Sequence, residues 1–190
     1  MIVSRNEHKQ EAMKVKYPNA TYRLGDVKDK PSLVRCLYEF KPTVVINTAA
    51  VKTVWVCQEN SYESVQTNII GHQNLIDVIQ ECTHKINTLV FISTDKTCKP
   101  VNVYGMSKAI AEQLYVNFAK QQSNIKVVMV RYGNVLNSTG SIIPLFKNKI
   151  KEGIESLPIT DFGMTRFLLS LEQAIDLIEW AYNHPNSHGK

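Results

Sequence analysis

The chain has 190 residues, 44% of them hydrophobic and 21% charged, enough for one ordinary domain with a buried core. It contains no apolar run long enough for a membrane span, no apolar stretch near "MIVSRNEHKQ" that would serve as a secretory signal, and no CxxC among Cys36, Cys57, Cys82 and Cys98, so a cytoplasmic, reduced protein without zinc is expected. The net charge of +5 comes from scattered Lys and Arg, which argues against nucleic acid and suits anionic cofactors or sugar nucleotides.

In chain order, "IVSRNEHKQ" reads as the end of a strand. Further strands are expected in "TYRLGDV" (21 to 27), "TVVINTAA" (43 to 50), "TLVFIST" (88 to 94) and "IKVVMVRYGNV" (125 to 135). The last three carry apolar residues without clean alternation, which predicts strands covered on both faces in a parallel sheet. Between them, "DKPSLVRCLYEF" has Asp29 as a cap, Pro31 in the first turn, and Leu33, Leu37 and Phe40 at helical spacing. A second helix over 61 to 82 places Val65, Ile69, Leu75, Ile76 and Ile79 on one stripe. A third over 104 to 120 does the same with Ile110, Leu114 and Phe118. This alternation predicts a doubly wound α/β fold of Rossmann-like type, with right-handed crossovers. After Val135 the rhythm breaks. Residues 136 to 167 read as turns and short apolar pieces covering a substrate, and "SLEQAIDLIEWAYNH" as one more amphipathic helix. The expected division is therefore 1–135 for an incomplete cofactor domain and 136–190 for an incomplete substrate-binding segment. No GxGxxG or GxxGxxG occurs, so either no dinucleotide is bound or the first strand and its Gly-rich turn are lacking.

Chemistry concentrates in "STDKTCKPVNVYGMSK", Ser93 to Lys108. Tyr104 and Lys108 stand four residues apart and share a helical face, where a cation favours phenolate. Thr94, Asp95 and Lys96 follow a strand, and ligands in open α/β sheets bind at the carboxyl ends of strands. The plainer alternative is a surface ion pair of Asp95 with Lys96 in a polar loop. The five histidines show no HxH or HExxH spacing and fit core or surface roles better than metal ligation.

This stretch, with "RYGNV", "GSIIPLF" and "ITDFGMTRF" downstream and "VSRNEHKQ", "LGDVKD" and "NTAAVKTV" upstream, resembles the inverting, 5-epimerising UDP-N-acetylglucosamine 4,6-dehydratases of the extended short-chain dehydrogenase/reductases. The resemblance implies 4,6-dehydration of a UDP-sugar with NADP, for polysaccharide or glycan biosynthesis. Tyr104 would take the C4 hydroxyl proton, Lys108 hold the cofactor ribose and lower the tyrosine pKa, and Thr94 bond the reacting oxygen. Lys96 would remove the C5 proton and Asp95 protonate the departing C6 hydroxyl. Ser4, Arg5 and Lys9 would lie around the adenosine 2'-phosphate, Asp26 and Val27 at the adenine, and Ala49, Ala50 and Lys52 near the pyrophosphate and sugar. Asn134 and Arg166 would face the sugar nucleotide. Thr48 replaces a common His and Trp55 a common Pro. The family pattern implies a homo-oligomer, and against it the chain reads as a fragment trimmed at both ends. The alternatives are a dehydratase or 4-epimerase acting on another UDP or dTDP sugar, or a non-catalytic remnant.

Overall fold

The computed structural model describes residues 1–138 and 140–190. Two parallel strands, β1 (Ile2–Ser4) and β2 (Tyr22–Leu24), pair in register Val3 with Arg23. A separate parallel sheet runs in the order β3 (Val44–Asn47), β4 (Thr88–Thr94), β5 (Lys126–Tyr132). Helices connect these strands: α1 (Glu7–Lys16), α2 (Lys30–Phe40), α3 (Val54–Glu59), a long composite helix and α6 (Val103–Gln121). The expected α/β architecture is present, with its sheet divided in two.

β4 explains why the larger sheet is a core. All seven of its residues are buried. Leu89 and Phe91 face α2, the composite helix and α6 through Leu37, Ile79 and Tyr115, while Val90 and Ile92 face Ala181 on the opposite side. A strand wrapped on both faces tolerates no polar alternation, hence the continuous apolar run.

Helix α2 forms as expected. The Asp29 carboxylate accepts from Ser32 N at 3.2 Å, Pro31 occupies the first turn, and Lys41 ends the helix at φ 49°. Leu33 and Leu37 are buried, but Phe40 is exposed and opens onto the groove described below.

The helix expected over 61 to 82 is divided into α4 (Ser61–Val65), a π-helical turn (Gln66–Ile70) and α5 (Gly71–Gln80). The π turn rotates the buried face, so Val65 is exposed and Ile69 only half-buried, while Ser64, Thr67 and Asn68 are buried instead. On α6 the stripe is likewise displaced: Ile110 is exposed, and the buried face runs through Lys108, Ala111, Glu112, Tyr115 and Phe118. Apolar periodicity misplaced this face because two of its members are ionisable.

Downstream, the expected strand over 125 to 135 breaks at Gly133, where an added Cβ would stand 2.4 Å from the Phe167 carbonyl oxygen. Beyond it, β6 (Asn134–Val135) pairs with β7 (Leu168–Leu169). A helix that periodicity did not indicate, α7 (Ile142–Lys151), lies between them with no residue buried. The last helix, α8 (Leu171–Asn183), opens with a capping box of Ser170 and Gln173, close to the expected bounds.

Candidate active site

The carboxyl ends of β3 and β4 are neighbours, and the site residues gather there. Thr94 ends β4, and Asp95–Thr97 form a single 3₁₀ turn that Thr94 caps. The Thr94 hydroxyl donates to Asp95 Oδ1 at 3.0 Å. The Lys96 ammonium donates to the same oxygen at 3.0 Å and to Asn134 Oδ1 at 2.9 Å. Asn134, expected on the sugar side, thus holds the amine of Lys96. Lys96 and Asp95 are each about 30% exposed, open enough to meet a ligand yet held in one geometry.

Tyr104 and Lys108 occupy the first turns of α6, capped by Asn102, whose Oδ1 accepts from Gly105 N at 2.8 Å. The helix start packs directly under the Lys96 carbonyl, because position 105 has no side chain. A Cβ there would lie 2.3 Å from that oxygen. Gly105→Ala must therefore push the helix from the turn, at a cost of about 1–3 kcal/mol. At this chain length a thermal melt should fall by about 2–4 °C per kcal/mol.

Lys108 is not beside the phenol as its spacing suggested. Its ammonium donates to the Ile92 carbonyl at 2.7 Å and lies 4.0 Å from the centroid of the Phe91 ring. Burial pulls its pKa down to about 7, opposed by the charge of Glu112. Burial also pushes Tyr104 up to about 12, against a hydrogen bond with Thr94 that favours the phenolate. The lowered tyrosine pKa expected from the motif is absent here, since desolvation outweighs a cation directed elsewhere.

Helix α6 contributes a third ionisable residue at the same spacing, Glu112, which the sequence reading passed over. Its buried Oε1 accepts from the hydroxyls of Ser93 and Thr97 and from Arg131 Nε at 2.8 Å, while Arg131 Nη2 donates to Oε2. Ser93 and Thr97 bracket Thr94, Asp95 and Lys96, so one carboxylate ties the Asp95–Thr97 turn to the helix bearing Tyr104 and Lys108. The signal available in sequence was the series Tyr104, Lys108, Glu112.

Two further polar residues support the neighbouring loop. Within the π turn, the buried Asn68 side chain bonds both backbone groups of Val51 and donates to Ser107 Oγ at 3.0 Å. His72 Nε2 donates to the Ala49 carbonyl at 3.0 Å, which leaves Nδ1 to accept from Tyr115 and Asn47. It is a core histidine, and no group of three or more metal-ligating residues occurs among the described residues. Burial and the charge of Lys108 lower the His72 pKa to about 3. The folded state then binds fewer protons than the unfolded one between about pH 3 and 6.5, and stability falls as pH drops through that window. His72→Leu should lack this slope of up to about 1.4 kcal/mol per pH unit in urea unfolding.

Ser4, Arg5, Lys9, Asp26, Val27, Ala49 and Ala50 line a groove of about 620 Å³ between the two sheets. The Arg5 guanidinium stands 3.6 Å from Asp26 and 3.7 Å from Glu63. Lys52 is exposed and outside the groove lining. Arg166 is exposed and donates to the adjacent Thr165 carbonyl at 2.7 Å.

A divided parallel sheet wrapped by helices, with Tyr104 and Lys108 on the helix after the β4 exit, defines an extended short-chain dehydrogenase/reductase of Rossmann-like fold. The chain belongs to the polysaccharide biosynthesis protein family, which it matches over residues 1–189. It is 39% identical over 193 residues to a UDP-N-acetylglucosamine 4,6-dehydratase (inverting) of Campylobacter jejuni, covering 100% of this chain and 56% of that protein. It is 38% identical over 189 residues to a UDP-glucose 4-epimerase of Rickettsia rickettsii, covering 97% and 54%. The chain thus spans about half the length of these relatives. Among solved structures, Pen from Bacillus thuringiensis superposes with a TM-score of 0.88 at 33% identity, over 97% of this chain and 59% of that one. The dTDP-glucose 4,6-dehydratase DesIV of Streptomyces venezuelae, at 17% identity and a TM-score of 0.77 over 100% and 74%, shares the fold.

Proposed function

We propose that this chain carries the catalytic half of a sugar-nucleotide 4,6-dehydratase that acts on UDP-N-acetylglucosamine with NADP and inverts C5. The observation that carries the reading is the Lys96 ammonium held between Asp95 and Asn134, at 3.0 and 2.9 Å, beside the turns bearing Tyr104 and Lys108. Oxidation of an alcohol needs one base. Loss of water across C5 and C6 needs a second base and an acid, which Lys96 and Asp95 supply.

Several groups at the groove mouth suit a phosphorylated dinucleotide: Ser4, Arg5 and Lys9 for a 2'-phosphate, Asp26 and Val27 for adenine, and Ala49 and Ala50 for the pyrophosphate approach. When bound, the nicotinamide supplies a hydride acceptor for C4 and a hydride donor for C6. Tyr104 takes the C4 hydroxyl proton while Thr94 donates to the same oxygen. For this, the Lys108 ammonium turns from the Ile92 carbonyl towards the phenol and ribose, drawing the tyrosine pKa down. The 4-keto group acidifies C5; Lys96 would remove its proton and Asp95 deliver a proton to the leaving C6 hydroxyl, and water departs. C5 would then regain a proton on the opposite face. Lys52, Asn134 and Arg166 serve the sugar-nucleotide side in this reading. Residues 1–135 hold the cofactor and 136–190 begin the substrate portion. The exposed Trp55, Tyr62 and Ile110 favour a homo-oligomer, and no described helix is long and apolar enough to cross a membrane.

The second reading is a UDP-glucose 4-epimerase, favoured by the Rickettsia relative. Such an enzyme needs Tyr104 but no C5 base. Lys96→Ala separates the two: dehydration should fall at least about 100-fold, whereas 4-epimerisation that survives the substitution would favour the epimerase.

A further inference from the structure

A second cavity, of about 430 Å³, lies between the loop that follows α5 and the loop that follows α6. β4 and β5 begin beside it, at Thr88 and Lys126. The Asp95–Thr97 turn leaves the other end of β4, seven residues or about 20 Å along the strand, so this space is separate from the site described above. Its volume is that of a small-molecule pocket.

The cavity holds a nucleophile and a base in contact. Cys82 Sγ lies 2.9 Å from His84 Nδ1 and 3.6 Å from Nε2, and the ring has no other hydrogen-bond partner among the described residues. Both side chains are half-buried and line the space, so the sulfur is held against the imidazole yet reached from the cavity. At this distance the imidazole can take the thiol proton as the sulfur attacks. The imidazolium that forms is favoured by the carboxyl ends of α5 and α6, which both stop here, at Gln80 and Gln121. Lys85, exposed on the same wall, offers a cation to an anionic ligand.

The other three cysteines lack this arrangement. Cys36 and Cys57 are buried, and burial pushes both thiols up. Cys98 is exposed, and its sulfur accepts from Arg131 Nη1 at 3.4 Å, a group that takes no proton.

We infer that Cys82 and His84 form a thiol-exchange site for a low-molecular-weight disulfide that carries carboxylates. The Cys82 sulfur attacks one sulfur of that disulfide while His84 takes the thiol proton; the S–S bond of the ligand breaks and a bond between Cys82 and one ligand half forms. The other half departs as a thiolate, recovers the proton from the imidazolium and leaves as a thiol. That half is reduced, and Cys82 is oxidised to the mixed disulfide. The retained half lies against Ile79, Ile86 and Ile125, with a carboxylate at Lys85.

The test uses the intact chain and the dianionic disulfide dithiobis(nitrobenzoate), with the released thiolate read by absorbance and the labelled residue located by peptide mass spectrometry. Cys82 should react first, at least about tenfold faster than Cys98. His84→Gln should slow Cys82 about tenfold or more and leave the Cys98 rate unchanged, which also reports that the variant is folded. Lys85→Ala should slow Cys82 about twofold or more with this dianion and leave its rate with uncharged dithiodipyridine unchanged. Oxidised glutathione should give one mixed disulfide per chain, at Cys82. Reaction at Cys98 first, or a Cys82 rate indifferent to His84→Gln, would overturn the proposal. An equal effect of Lys85→Ala on both probes would overturn the carboxylate selectivity. No step uses a sugar nucleotide or nicotinamide, so failure here leaves the dehydratase reading untouched.

Discussion

Replacing Lys108 by methionine is expected to remove a rise in stability that the native protein should show between about pH 7 and pH 10. Buried against Phe91 and the Ile92 carbonyl, the amine has its pKa lowered to about 7 by desolvation. A lysine in the unfolded chain titrates near ~10.4. Between those values the unfolded state binds the proton and the folded state does not, so stability increases with pH, by up to about 1.4 kcal/mol per unit. The burial-raised Tyr104 acts in the opposite sense above about pH 10, since the unfolded phenol ionises first, so the window closes there. Methionine fills similar volume with no titration. Urea unfolding at pH 6, 7, 8.5 and 9.5 should give a rising curve for the native chain and a flatter one for the variant. Turnover in the variant should fall by about 100-fold or more, because no cation remains to draw the tyrosine towards phenolate. A parallel pair of stability curves would show that Lys108 is solvated in solution.

Glu112→Gln is expected to be costly in a different way. The native carboxylate gathers Ser93, Thr97 and Arg131, and removing one partner of a buried ion pair costs about 3–5 kcal/mol. Arg131 is half exposed and can recover water, which places the loss towards the lower figure. Although burial pushes the Glu112 pKa up, the hydrogen bonds and charge of Arg131, Ser93 and Thr97 win, and it lies below the usual carboxylate value. Its contribution is therefore present above the unfolded value near ~4.3 and is lost as pH falls through the lower folded value. Native and variant proteins should differ most in urea midpoint near pH 7 and converge in acid. The Asp95–Thr97 turn should also loosen: amide exchange at residues 95–97 should accelerate while the α8 amides stay unchanged. Equal exchange at both places would mean that Glu112 stabilises the fold without setting the turn.

The sequence carried the site further than it carried the helix faces. β4, its exit into Thr94, Asp95 and Lys96, the Asp29 cap and the final helix were all legible because each rests on a local rule: continuous apolar residues, a capping side chain, a Pro in the first turn. What failed was part of each apolar stripe: Phe40, Val65 and Ile110 are exposed, while Leu33, Leu37, Leu75, Ile76, Ile79 and Phe118 are buried as expected. Position 108 is a lysine and 112 a glutamate, and both point inward, so the buried face of α6 passes beside Ile110 while still taking in Phe118. The π turn at Gln66–Ile70 shifts its helix by one residue, and nothing in an apolar pattern announces that. Tertiary partners also decided the direction of the Lys108 side chain. A spacing of four residues brings it to the same helical face as Tyr104, yet a backbone carbonyl on β4 is the partner it meets.

Proton exchange at C5 tests the central claim most directly. The chain, with NADP and UDP-N-acetylglucosamine in deuterated water, should yield a 4-keto-6-deoxy sugar nucleotide carrying one deuterium at C5, read by proton NMR and mass spectrometry. Lys96→Ala should give neither the product nor the label. A product in which C4 is inverted, the C6 hydroxyl is retained and C5 carries no deuterium would contradict the account.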